Sequence, residues 1–417
     1  MIIKRDFYLN KLIKRQNNGL VKIITGIRRC GKTFLLFNLF KEYLLNNGTM
    51  ADHIIEIAFD DIGAGELRNP THCYAFIRDQ IIDKDKYYIL LDEIQLLARF
   101  EEVLNGLLHI DNVDIYVTGS NSKFLSKDVI TEFRGRGDEI HILPLSFNEF
   151  YTALGGDFDY AWNEYLDYGG LPALINMETS DQKIDYLKST FSNVYMRDVI
   201  DRHKIYAQNE INTLVDILAS SIGSLTNPTK IANTFLSVQH SAYSNKTVSL
   251  HLDFLEESYL ISKAHRYDIK GRKSISANMK YYFTDIGLRN ARLNFRQQEP
   301  THIIENVVYN ELISRGYSVD VGVVEVNQKS GDGKNIRKQL EVDFVANLGS
   351  QRYYIQVAYD ISSKEKQDQE YNFLRKIPDS FKKIVLVNGT SRPWRTEEGY
   401  VVMGLKYFLL SPDSLDF

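Results

Sequence analysis

The chain has 417 residues, 44% of them apolar and 25% charged, with a net charge of −4. That length predicts about two to four domains, each with its own core, and the composition excludes a disordered or low-complexity chain. The charge balance excludes bulk coating of nucleic acid, though a local basic face stays open; Cys30 and Cys73 alone exclude a disulfide framework; and no run reaches the ~20 apolar residues of a membrane helix. Residues 1–15 are charged and amphipathic, without the apolar run of a signal peptide, so the expected location is a reducing cytoplasm.

The first predicted strand, 21–25, is short, apolar and β-branched. Gly26-Ile27-Arg28-Arg29-Cys30-Gly31-Lys32-Thr33 follows it, and an apolar helix over 34–45 comes next. Strand, glycine-rich loop and helix is the context that G-x-x-x-x-G-K-[ST] requires to hold a nucleoside triphosphate. The loop backbone, from Gly26 through Arg28, Arg29, Cys30 and Gly31, curls its N–H groups around the β-phosphate at the positive end of the new helix. Lys32 reaches the β- and γ-phosphates as a point charge, and the Thr33 hydroxyl takes one position on Mg2+. The competing reading is an ordinary glycine turn.

Downstream, Tyr87-Tyr88-Ile89-Leu90-Leu91-Asp92-Glu93 is an apolar strand ending in two acids, the pattern of a Walker B strand. Asp92 would hold the Mg2+ shell and Glu93 would polarise the attacking water. A strand over 114–118 runs into Gly119-Ser120-Asn121, where Ser120 or Asn121 would orient the water or sense the γ-phosphate. Strands at 53–59 and 139–143, with helices at 71–82 and 99–109, complete an alternation over 1–150 that predicts an α/β unit with a parallel sheet. Phe133-Arg134-Gly135-Arg136-Gly137 sets two arginines among glycines, either as a solvated loop or as an arginine finger worth about 10³–10⁵ in turnover.

The order of Gly-Ile-Arg-Arg-x-Gly-Lys-Thr (26–33), Leu-Leu-Asp-Glu-Ile-Gln (90–95), Thr-Gly-Ser-Asn-Ser (118–122), Gly-Arg (135–136) and Leu-Pro-Leu-Ser-Phe-x-Glu-Phe (143–150) resembles a large prokaryotic family of AAA-type ATPases. That family is distantly similar to the origin-recognition and helicase-loader branch, and its members carry an extra C-terminal domain. The resemblance implies ATP binding by Gly31, Lys32 and Thr33, handling of Mg2+ and water by Asp92 and Glu93, and sensing near Ser120 or Asn121. Arg136 matches the family's Gly-Arg better than its neighbour Arg134. The resemblance spans nearly the whole chain and names no substrate.

Residues 151–205 read as a helical lid or linker, with Gly169-Gly170-Leu171-Pro172 permitting a sharp turn and then fixing the exit direction. Arg197 either touches nucleotide across a subunit boundary or makes a surface salt bridge. Over 206–298, three helices precede a hairpin at 261–283, the order of a winged helix. Asn227-Pro228 starts the second helix. The hairpin carries Lys263, Arg266, Lys270, Arg272, Lys273 and Lys280 against Asp268 alone, with Lys270, Arg272 and Lys273 at its tip. Such a wing straddles a DNA duplex, or else the module is a rigid joint or protein dock.

The last part, 299–417, reads as mixed α/β, with a helix at 303–312 and strands at 319–327, 339–346, 353–359, 383–387 and 400–404. Glu305, then Glu341-Val342-Asp343, then Gln356-Val357-Ala358 resembles the order of the PD-(D/E)-x-K nuclease fold. The neutral amide of Gln356 and the methyl group of Ala358 stand where that fold uses a carboxylate and a lysine, so a degenerate fold without cleavage is expected. Lys364 or Lys366 would have to substitute.

The expected fold is therefore α/β: a phosphate-loop AAA-type ATPase core (1–150), a helical lid (151–205), a winged-helix domain (206–298) and a small restriction-nuclease-like α/β domain (299–417). The expected function couples Mg2+–ATP binding and hydrolysis to a conformational change in the downstream domains, with double-stranded DNA, a second copy or another protein as partner. The alternatives are a slow nucleotide-gated switch that docks a protein, and an ATP-dependent DNA nuclease.

Overall fold

The computed structural model describes residues 2–119, 135–239, 243–297, 299–329 and 335–417. Contacts divide the chain into two compact units. The first comprises 1–145 with 171–175 and 257–259, and the second comprises 146–170, 176–256 and 260–417.

The first unit is built on five strands: β1 (Val21–Thr25), β2 (Ile54–Ala58), β3 (Tyr87–Asp92), β4 (Val113–Thr118) and β5 (Gly137–His141). They pair in the order β2-β3-β4-β1-β5, every pair parallel. A parallel sheet is covered on both faces, which is why β1 and β3 are mostly apolar and buried along their whole length. Ile57, Leu91 and Val117 share a core with Cys73 and Ile77 of helix Pro70–Asp79 and with Val103, Leu104 and Leu107 of helix Phe100–Leu107. The helix after the phosphate loop begins at Lys32, two residues earlier than the apolar run predicts, because Gly31 in the left-handed region (φ 97°) serves as its N-cap. The helix passes through a π-helical stretch, Leu35–Phe40, and continues over Lys41–Asn46.

In the second unit, the helices Gln208–Ser220, Pro228–Gln239 and Asn245–Glu257 precede the antiparallel pair β6 (Ile261–Asp268) and β7 (Lys273–Phe283). Three helices then a hairpin is the predicted order. The hairpin does not stand alone, however. Arg266–Asp268 of β6 pair in parallel with Val321–Val323 of β8 (Ser318–Lys329), so both strands extend a larger sheet. That sheet continues through β9 (Asn335–Leu348), β10 (Gln351–Ala358), β11 (Lys382–Val387), β12 (Trp394–Arg395) and β13 (Val401–Gly404), in the order β12-β13-β11-β10-β9-β8-β6-β7. Helix Pro300–Ser314 lays Ile304, Val308 and Leu312 into its core, and Phe147, Phe158 and Trp162 from helices Phe147–Leu154 and Phe158–Tyr168 join them.

Gly169 and Gly170 do more than permit a turn. A Cβ on Gly169 would lie 2.3 Å from Asp285 Oδ1, and one on Gly287 would lie 1.8 Å from the Tyr168 carbonyl oxygen. The two backbones touch, and Asp285 fastens them, accepting the N–H of Gly170 at 2.7 Å and of Leu288 at 3.0 Å.

Candidate nucleotide-binding site

The phosphate loop leaves the C-terminal end of β1, where its residues have little conformational choice. Gly26 has φ 144°, and a Cβ there would meet the Ile142 carbonyl oxygen at 2.2 Å. Cys30 is fully buried, with its Sγ 3.7 Å from the same carbonyl oxygen, so its thiol turns away from the loop mouth. Arg28 and Arg29 are exposed on the loop, and Arg29 adopts φ 63°. Behind the loop, buried Arg5 donates to the Cys30 carbonyl at 2.9 Å and to the Leu143 carbonyl at 2.8 Å, while its guanidinium lies 4.7 Å from the Tyr8 ring centroid. Arg5 is a brace that the sequence reading missed, because residues 1–15 carry no motif.

Lys32, 4% exposed, folds its ammonium back onto the loop and donates to Gly26 O at 3.1 Å and Ile27 O at 2.9 Å. Neutral carbonyls hold it, so an anion entering the loop competes for it with a full charge. The Thr33 hydroxyl donates to Asp92 Oδ2 at 2.8 Å, and the Thr118 hydroxyl donates to Asp92 Oδ1. Thr118 is opposite Asp92 because Leu91 pairs with Val117 in the strands before them. The same hydroxyl accepts the Glu93 N–H at 3.1 Å. Burial raises the Asp92 pKa, against the pull of the Thr118 and Thr33 donors. Hard oxygen donors converging on a buried carboxylate fit a Mg2+ ion; Thr33 and Asp92 would hold it, and it would neutralise phosphate charge.

A second polar chain runs beneath the loop. Thr25 donates its hydroxyl to Glu139 Oε1 at 2.7 Å and lies 3.1 Å from His141 Nδ1. Burial, then the Lys32 charge, pushes the His141 pKa down to about 4, so the ring is neutral. The Thr25 proton goes to Glu139, which leaves His141 Nδ1 as the donor to Thr25.

Arg136 lies elsewhere. Its carbonyl accepts the Val21 N–H at 2.9 Å and its guanidinium donates to Asn105 at 3.2 Å. That is the start of β1, roughly 13 Å along the strand from the phosphate-loop end. Arg136 therefore does not join the phosphate loop of its own chain. Ser120, Asn121 and Arg134 fall outside the described residues. Arg197 faces Asp201 at 3.4 Å, one helical turn on, as a surface pair.

The basic hairpin is smaller than its sequence suggests. Lys263 pairs with Glu256 at 3.0 Å, Arg266 donates to Gln339 at 2.7 Å, and Lys280 is buried. Lys270, Arg272 and Lys273 remain exposed at the tip, with Lys270 donating to the Glu325 carbonyl at 3.0 Å. Lys280 instead reaches Glu305 at 2.8 Å, Glu341 at 2.6 Å and Asp343 at 3.9 Å, and Tyr282 donates to Glu305 at 2.6 Å. A lysine thus stands among the three acids although position 358 is alanine. Burial works against the Lys280 ammonium, but Glu305, Asp343 and Glu341 together hold its pKa well above the usual lysine value. Burial, then Glu305, raises that of Asp343. Gln356 offers its amide oxygen to the Asp343 N–H at 3.4 Å.

The family model for an AAA domain matches residues 18–151. Two further models, each described as a domain of unknown function (DUF8612 and DUF4143), match 159–299 and 301–408. An "Uncharacterized protein" of Haemophilus influenzae is 33% identical over 391 residues, covering 92% of this chain and 93% of that protein. The chain belongs to this family of AAA-domain proteins. Another relative, the "Uncharacterized protein MJ1544" of Methanocaldococcus jannaschii, is 29% identical over 394 residues, covering 91% of this chain and 82% of that one. Among solved structures, the Aeropyrum pernix ORC1 protein in complex with DNA aligns at TM-score 0.30 and 12% identity, over 70% of this chain and 93% of that one. A DNA replication initiation factor aligns at TM-score 0.27 and 15% identity, over 60% and 86%. At these scores the two likenesses support no conclusion about this chain. The family's AAA domain falls on the parallel sheet of the first unit, and no helix among the described residues is long and apolar enough to cross a membrane.

Proposed function

We propose that the first unit binds Mg2+–ATP at the phosphate loop and hydrolyses it, and that the cycle changes the conformation of the downstream modules. One observation carries this reading: the loop lysine, the Thr33 hydroxyl and the Asp92–Glu93 strand end converge at the C-terminal ends of the strands of a parallel sheet, with Thr118 tying the acids together. Lys32 would meet the β- and γ-phosphates, Thr33 and Asp92 the cation, and Glu93 the attacking water. Arg136, at the far end of β1, would act on a nucleotide only in another subunit.

Helices Gln208–Ser220, Pro228–Gln239 and Asn245–Glu257 with the β6–β7 hairpin are read as a winged-helix module, and 299–417 as a nuclease-derived fold. Double-stranded DNA is the partner that the exposed Lys270, Arg272 and Lys273 favour. The Glu305–Glu341–Asp343 cluster is read as a charge-paired brace around Lys280, not as a cutting site.

Equilibrium binding of ATP with Mg2+, for the parent and Lys32→Ala, tests the nucleotide site; the variant should lose binding. Hydrolysis with duplex DNA across a salt series tests the partner. Stimulation that fades as salt rises supports DNA. Hydrolysis indifferent to DNA at low salt would favour the alternative of a protein dock.

A further inference from the structure

Glu93 has its backbone in the left-handed region, φ 50° and ψ 47°, and opens the short 3-10 turn Ile94–Leu96. Gln95, within that turn, donates its side-chain Nε2 to Glu93 Oε2. A carboxylate only accepts, so this bond fixes which way round the amide sits, and its oxygen has to face away from Glu93. That oxygen, Gln95 Oε1, is buried and meets no donor among the described residues. Buried acceptors are satisfied as a rule, and an empty one two residues from a water-polarising acid calls for an explanation. Gln95 takes no part in the hydrogen bonds that join Thr33, Asp92 and Thr118.

We propose that Gln95 is a positioning residue for the attacking water, and that its empty oxygen is completed by that water. The proposal rests on the hydrolysis reading above. Glu93 accepts one hydrogen of the water and Gln95 Oε1 accepts the other, which turns an oxygen lone pair toward the γ-phosphorus. The amide N–H, donating to Glu93, holds the carboxylate in the same frame. As the water oxygen bonds to phosphorus, the bond from phosphorus to the β–γ bridging oxygen breaks. ADP leaves with that electron pair, and the water's proton passes to Glu93 and then to solvent. Two acceptors at a fixed separation define one water orientation, which a single acceptor leaves free to rotate.

The test uses full-length parent, Gln95→Met and Gln95→Glu, with Lys32→Ala as the background. ATP Kd and kcat are measured, with thermal unfolding as a check on folding. Methionine keeps the bulk and removes both hydrogen bonds. It should lower kcat by about 10²-fold with ATP Kd and unfolding nearly unchanged. Glutamate keeps an acceptor but removes the N–H donor to Glu93. It should retain more kcat than methionine. Parental kcat in Gln95→Met would overturn the proposal, as would equal losses of ATP affinity and kcat, which mark a merely structural role. A parent no faster than Lys32→Ala would overturn the hydrolysis reading itself, and the two failures are told apart by that control.

Discussion

Thr118 carries more of the site than any motif gives it credit for. Its one hydroxyl donates to Asp92 and accepts from the Glu93 N–H, so it sets the spacing of both acids. Thr118→Val keeps the β-branched shape and should lower kcat by about 10²-fold, with ATP affinity nearly unchanged, in a steady-state assay paired with binding. Asp285 offers a second residue-level test. Burial, against the N–H donors of Gly170, Leu288 and Gly287, pushes its carboxyl up to about 6. The folded state therefore keeps this proton where the unfolded chain has lost it, and stability from this group is complete below the ordinary value of 3.8 and is lost as pH rises to about 6. That interval corresponds to roughly 3 kcal/mol. Asp285→Asn, which stays neutral, should flatten the slope of unfolding free energy between pH 4 and 6 relative to the parent. An unchanged slope would show that Asp285 does not hold its proton there.

Among the elements, the phosphate loop and the Walker B strand were legible because each is a run of consecutive residues whose chemistry is local. The helix starts two residues before its apolar run because the left-handed Gly31 cap, not apolar periodicity, sets it. The hairpin was legible as a hairpin, but its charge was not. Lys263, Arg266 and Lys280 look like one solvated basic strip in sequence, yet they turn onto Glu256, Gln339 and the Glu305–Glu341–Asp343 cluster. Those partners come from other elements, and the insertion of β6 and β7 at the edge of the C-terminal sheet follows from long-range pairing that no local pattern encodes. Ala358 leaves the lysine position of the nuclease pattern empty in sequence, while Lys280 from β7 stands among the same acids. Replacing Lys280 with Met leaves Glu305 and Asp343 buried without their cation. It should cost about 3–5 kcal/mol in denaturant unfolding of the full-length protein. A loss under 1 kcal/mol, order-of-magnitude for exposed pairs, would mean that the cluster is open to water.

At the scale of the whole molecule, the chain combines an AAA core with a second unit whose hairpin and C-terminal strands form one sheet. A motion imposed on β6 is therefore shared with β8 through their pairing at Arg266–Asp268. If DNA is the partner, the three exposed tip cations limit the electrostatic contribution of the hairpin. Titrating binding against salt should give a slope attributable to the tip of about −3 in log K against log salt. Replacing Lys270, Arg272 or Lys273 singly with Ala should reduce the slope by about 1 each. A slope that none of the three alters would place any nucleic-acid contact elsewhere.

The most direct test of the whole scheme is steady-state ATP hydrolysis by full-length parent and Glu93→Gln, with ATP binding measured on the same samples. The parent should hydrolyse ATP in the presence of Mg2+, while Glu93→Gln should bind ATP as the parent does and turn over at the background of Lys32→Ala. Hydrolysis by Glu93→Gln at the parental rate would contradict the assignment of the water-polarising acid. A parent that fails to bind ATP would contradict the nucleotide site altogether.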